Sequence, residues 1–128
     1  MDDEALPVSE LTFAVQRKVP RFKFIAEAEV TSVRNGMRVV ARVSELSAQG
    51  CYVDTPEAFP VGSAIRLRIH YGGSACEFGG RIIYIHIGWG MGALFEEMGQ
   101  AQRAVLNAWL AELARKTARH SERQSSLC

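Results

Sequence analysis

The sequence contains no apolar run longer than a strand. Its longest, Ile82 to Ile87, falls far short of the roughly 20 residues a membrane-spanning helix needs, so no such span and no membrane insertion are expected. Charge of one sign is also missing. Fifteen basic residues face fourteen acidic ones for a formal charge of +1, and only 9% of residues are aromatic. No global field then draws the chain to a nucleic-acid polymer or an anionic surface, and any anion site must be local. Cysteine is scarce: Cys51, Cys76 and Cys128 are odd in number and far apart, which fits neither a disulfide framework nor a metal-ligand set. The acidic opening Met1-Asp2-Asp3-Glu4 lacks the basic and apolar regions of a secretory signal. Reduced thiols and a cytoplasmic location follow as expectations.

Catalytic patterning is missing too. His70, His86 and His120 fall on separate segments, with no C-x-x-C, H-x-x-x-H or G-x-S-x-G arrangement nearby, so an enzyme is not expected. What the sequence does contain is alternation. Phe22 to Val33 places Phe24, Ala26, Ala28 and Val30 on one side and Glu27, Glu29 and Thr31 on the other, the period of a half-buried strand. Asn35-Gly36 follows as a type I′ turn signal, and Met37, Val39, Ala41 and Val43 resume the pattern. Further strands are expected at Cys51 to Thr55, at Ile65 to Tyr71, along Ala75 to Trp89 with a bend at Gly79-Gly80, and at Gly92 to Glu96. No helix separates them, which excludes the crossovers of a parallel sheet. The expectation is a mainly β fold: a six-stranded antiparallel barrel over about 22–97, then a helix over about 100–118 whose apolar stripe is Val105, Leu106, Trp109, Leu110 and Leu113. Residues 1–13 and 119–128 read as flexible flanks to a domain at 14–116.

Three short segments could carry chemistry. Arg17-Lys18-Val19-Pro20-Arg21 precedes the first strand, and Pro20 keeps it extended, so two arginines four apart lie on one side. Each guanidinium offers a planar fork for a phosphate or the O6/N7 edge of a guanine, although a merely solvated basic cluster has the same spacing. Glu45-Leu46-Ser47-Ala48-Gln49-Gly50 ends the second strand; its carboxylate can accept guanine N–H groups, its hydroxyl can assist, and Gly50 would give the turn its backbone freedom. An ordinary strand-ending turn fits equally. Glu45 moreover shares the parity of Met37 to Val43, so strict alternation aims it inward unless a bulge intervenes. Gly88-Trp89-Gly90-Met91-Gly92 has strand on both sides and so is not a phosphate-binding loop; a corner in the barrel is expected, with Trp89 in the core or as an apolar surface.

In order and spacing these pieces resemble the PilZ domain, a bacterial signal-transduction receptor for cyclic di-GMP, over roughly Gln16 to Leu113. Arg17 and Arg21 look like its R-x-x-x-R loop, Glu45, Ser47 and Gly50 like its D/N-x-S-x-x-G turn, and Gly90, Gly92 and Phe95 like its G-x-G-x-x-F segment. The resemblance implies a nucleotide-binding, non-enzymatic receptor whose arginine loop, Arg17 and Arg21 with Lys18 adding charge, closes over cyclic di-GMP, while Glu45 and Ser47 contact a guanine. It implies no resident cofactor, and an effector protein that senses the rearranged surface; the receptor would be a monomer or weak dimer. Glu45 departs from the family's Asp or Asn by one methylene, a shift of roughly 1–1.5 Å. That departure supports an alternative, a degenerate PilZ-like interaction module that binds a protein without nucleotide. Nucleic-acid binding through Arg66 and Arg68 on one strand face is a third option, opposed by the charge balance.

Overall fold

The computed structural model describes residues 19–127. Six strands form: β1 Arg21–Ser32, β2 Arg38–Ser47, β3 Gly50–Asp54, β4 Ala64–Tyr71, β5 Ser74–His86 and β6 Gly90–Glu97, followed by a helix, α1, Gln100–Leu127. All pairings are antiparallel, and the strands close into a barrel in the order β1-β2-β3-β6-β5-β4. Closure leaves no open sheet edge.

Alternation selects the interior. On β1, Phe24, Ala26, Ala28 and Val30 are buried, and on β4 Ile65, Leu67 and Ile69 join them. Phe78, Ile82, Met91, Val43 and Val53 complete the core from the other strands. Small alanines on β1 leave room for the larger residues opposite. The outer face is laced with ion pairs: Arg42 with Asp54, Arg68 with Glu77, Arg81 with Glu96, Arg38 with Glu29. Arg68 is therefore paired with an acid on the neighbouring strand. No described helix is long and apolar enough to cross a membrane.

Helix α1 seals one side of the barrel with the stripe read from the sequence. Leu106, Trp109 and Leu113 are buried, and Val105 and Leu110 pack against the core at its edge. The Trp109 ring lies 5.6 Å from Phe24 and meets Tyr71 edge-on at 5.5 Å. Each such buried side chain stabilises the dock by about 1.5–3 kcal/mol. Two polar ties fix its register: Gln102 Oε1 accepts the Glu77 N–H at 2.6 Å, and Arg103 Nη1 donates to the Ala48 carbonyl at 3.1 Å.

Three local expectations are corrected. The β1–β2 connection is not a two-residue type I′ turn. Only Gly36 has positive φ (75°), and Ser32 N–H donates to the Met37 carbonyl at 2.8 Å, enclosing residues 33–36. Asn35 acts instead through its side chain, whose Oδ1 accepts the Met37 N–H at 2.9 Å, an Asx-type bond that replaces the strained backbone angle. Strand β5 ends at His86, and Trp89 sits in the following turn, 77% exposed rather than in the core. Helix α1 runs past 118 to Leu127: nothing after Thr117 is a Gly or Pro, so the end of the apolar stripe does not end the helix.

Candidate functional site

The site is built where β2 stops alternating. Along β2, Val43 and then Leu46 are buried, three positions apart instead of two. The pairing with β3 slips between Val43 and Glu45, a β-bulge centred on Ser44. An extra residue reverses the facing of everything after it, so Glu45 points outward although its parity aimed it in. The bulge is pinned from β3: Asp54 accepts from Ser44 Oγ at 2.9 Å and from Arg42 Nε and Nη2 at 3.1 and 3.0 Å.

Ser47 then shapes the β2–β3 turn. Its hydroxyl accepts the N–H groups of Gln49 and Gly50, each at 3.1 Å, and donates to the Gly50 carbonyl at 3.3 Å. These three bonds fill the capacity of a hydroxyl. A ligand contact by Ser47 would require exchanging one of them. The turn is also held from outside, by Arg103 on Ala48 and by the Phe95 N–H on the Gln49 carbonyl at 2.8 Å. Gly50 has no positive φ, so backbone freedom is not its role. A Cβ there would run into the Ala93 carbonyl of β6, so glycine is required for close approach of the two strands.

Arg21 opens β1 opposite Ser47 in the β1–β2 ladder. Its Nη1 lies 3.6 Å from Glu45 Oε1, with the two side chains 39% and 43% exposed. Beside them is a pocket of about 260 Å³ lined by Arg21, Glu45, Ser47 and Gly50 at one side and by Tyr52, Tyr84, Gly92 and Leu94 elsewhere. The structure thus gathers Arg21, Glu45, Ser47 and Gly50 at one place. Arg17 and Lys18 lie outside the described residues. Trp89 and Gly90 are absent from the lining, whereas Gly92 is part of it, and Phe95 packs on Phe78 with ring centroids 4.2 Å apart.

Two lining residues were not singled out by sequence reasoning. Tyr52 and Tyr84 flank Gly92 on the adjacent strands β3 and β5, their rings stacked at 6.2 Å between centroids. Tyr52 Oη is 2.9 Å from His86 Nδ1. Burial pushes both phenols above their ordinary pKa; Tyr84 is partly offset by the Arg21 cation, while Glu45 raises both. Parity on β3, where Cys51 and Val53 are buried, would have placed Tyr52 outside. Its meeting with Tyr84 depends on the register of three strands.

A closed six-stranded antiparallel barrel sealed by a C-terminal helix, with an arginine at the start of β1 facing an acid-x-serine-x-x-glycine turn, places the chain in one class of small β-barrel domain. Residues 16–112 match the PilZ domain, and the chain belongs to that family. Solved structures agree in fold. The PilZ domain of YcgR from Escherichia coli, determined with c-di-GMP, superposes with a TM-score of 0.66 at 15% identity, covering 84% of this chain and 98% of that one. The inhibitor of motility MotI/DgrA of Bacillus subtilis gives 0.64 at 16% identity, covering 80% and 52%. The PilZ domain of CeSA from a cellulose-synthesizing bacterium gives 0.59 at 18% identity, covering 74% and 98%. No curated protein matches the sequence.

Proposed function

We propose that this domain is a non-enzymatic receptor for cyclic di-GMP, in keeping with the general role of PilZ domains and with the c-di-GMP complex among its structural neighbours. The observation that carries this reading is the placement of Arg21 and Glu45 on one rim of an outward-facing pocket, 3.6 Å apart. Arg21 supplies a fork for a phosphate or guanine edge, and Glu45 accepts from guanine N–H groups. At about 260 Å³ the pocket falls just below the range of sites that enclose a whole drug-sized ligand. It therefore takes part of the dinucleotide, and the segment carrying Arg17 and Lys18 closes over the remainder. That closure changes the surface offered to an effector protein. Calorimetry with the purified chain tests the reading: saturable binding is expected, weakened at least tenfold in Arg21→Ala, and the absence of heat at high micromolar ligand would remove it.

A second reading keeps the fold and drops the nucleotide. Its support is that Glu45 engages Arg21 while the Ser47 hydroxyl is filled by its own turn. On this reading the domain binds a protein partner directly. A pull-down partner indifferent both to c-di-GMP and to Arg21→Ala would favour it.

A further inference from the structure

We propose that Tyr84, with Tyr52 beside it, is the platform on which a guanine base of the bound nucleotide stacks. The proposal rests on the nucleotide-receptor reading and adds a residue pair that the arginine loop and the acid–serine turn do not contain.

The platform is a product of three strands. Tyr52, Gly92 and Tyr84 form one transverse row, Tyr52 paired with Gly92 and Gly92 with Tyr84. Neighbouring strands are about 4.8 Å apart, so two residues flanking a central strand start about 10 Å apart. Their ring centroids are only 6.2 Å apart, so the rings lean toward each other above Gly92. Glycine permits this: a Cβ at position 92 would collide with the Tyr84 ring. A second β-irregularity contributes, since the β5–β6 register shifts between Ile82 and Tyr84 and breaks the alternation of β5 there.

The spacing also fixes how a base would sit. Inserting one between two rings needs about 7 Å, twice a carbon–carbon contact distance of about 3.5 Å. The 6.2 Å separation with planes inclined by 28° is too narrow. The base must lie on the outward face of the pair, within the pocket both rings line. Tyr52 is steadied for this by its hydroxyl contact with His86 Nδ1 and by the imidazole ring 5.6 Å away. The same pocket carries Arg21 and Glu45 at its rim. A flat apolar shelf next to a guanidinium and a carboxylate suits a planar ring with polar edges; an aliphatic ligand would leave both charges unused.

The test is titration of the full chain with c-di-GMP using wild type, Tyr84→Leu, Tyr84→Val, Tyr84→Phe and Tyr52→Phe, with melting temperatures measured alongside. Stacking on an aromatic side chain predicts about tenfold or greater weakening in Tyr84→Leu and Tyr84→Val. Both Phe variants, which keep the rings, should stay within about twofold of wild type. Binding by wild type that is unchanged in the folded Leu and Val variants overturns the platform and leaves the receptor reading intact. Equal weakening in Tyr84→Phe and Tyr84→Leu also overturns it, by assigning the effect to the hydroxyl. Failure of wild type to bind removes the receptor reading, and the platform with it.

Discussion

Replacing Glu45 by Gln isolates the feature that most divides the two functional readings. Without ligand, the Arg21–Glu45 pair is 3.6 Å long between side chains about two-fifths exposed. Pairs of that kind contribute about 0–1 kcal/mol, and salt screens them. Glu45→Gln should therefore leave urea stability within about 1 kcal/mol of wild type, and a double-mutant cycle with Arg21→Ala should show coupling no larger than that. Ligand binding responds differently. If the carboxylate accepts guanine N–H groups, its loss removes charge-assisted bonds of about 1.5–3 kcal/mol, or roughly ten- to hundredfold in Kd. Part of this is offset, because Arg21 no longer has to leave Glu45, a gain of up to about fivefold. Calorimetry with c-di-GMP at physiological ionic strength should thus show a net loss between about twofold and a hundredfold. Unchanged or tighter binding by Glu45→Gln would refute the reasoning, and would make Glu45 a competitor for Arg21 instead of a reader of the base.

Two further perturbations probe the scaffold. Gly50→Ala forces a methyl against the Ala93 carbonyl, a backbone atom that cannot yield without parting β3 from β6; overpacking of about 1–3 kcal/mol should lower the melting temperature by roughly 5–10 °C. Gly79→Ala, where the nearest atom is the flexible Glu97 carboxylate at 3.2 Å, should cost less than 1 kcal/mol, and equal melting temperatures for the two would contradict this account. Burial pushes the Cys51 thiol up to about 12 and Cys76 to about 11 from 9.0. The unfolded chain then releases these protons first as pH rises, so stability is full below about pH 9 and falls above it, by about 1 kcal/mol per thiol between pH 9 and 10. Urea midpoints under reducing conditions should show that decline, and Cys51→Ala should remove about half of it.

The strands were legible because one face of each is buried and the other is not. On β4 Ile65, Leu67 and Ile69 alternate with Arg66, Arg68 and His70 without exception. Helix α1 was legible through its stripe, but its end was not, since exposed helix needs no apolar signal to continue. Asn35-Gly36 misled because one dipeptide serves several turns, and the Asn35 side chain, not its backbone, makes the bond that selects this one. The Arg21–Glu45 meeting was visible only through family resemblance, as the two residues lie in a β1–β2 ladder whose own register shifts between Lys23 and Ala26. The Tyr52–Tyr84 pair was beyond reach of any local pattern, because it requires β3, β6 and β5 to be in register through Tyr52, Gly92 and Tyr84.

Two of the places where simple alternation fails border the pocket. A regular β2 would bury Glu45 and leave its carboxylate desolvated within an apolar barrel, which costs several kcal/mol unless the charge is paired or neutralised. The bulge at Ser44 removes that penalty and turns the carboxylate toward Arg21, and Asp54 holds the distortion with three hydrogen bonds from Arg42 and Ser44. Across the pocket, the irregularity next to Tyr84 and the missing side chain of Gly92 bring two aromatic rings together. The bulge also turns Leu46 into the core, while further register shifts lie in β1 between Lys23 and Ala26 and between β5 and β6 at Gly79–Gly80. Two of the barrel's register shifts thus border one pocket, with Arg21 and Glu45 contributed from the side of the Ser44 bulge and Tyr84 from the side of the β5 irregularity. At the bulge the demands of stability and of the pocket coincide, because the distortion that keeps the Glu45 carboxylate solvated also sets it beside Arg21.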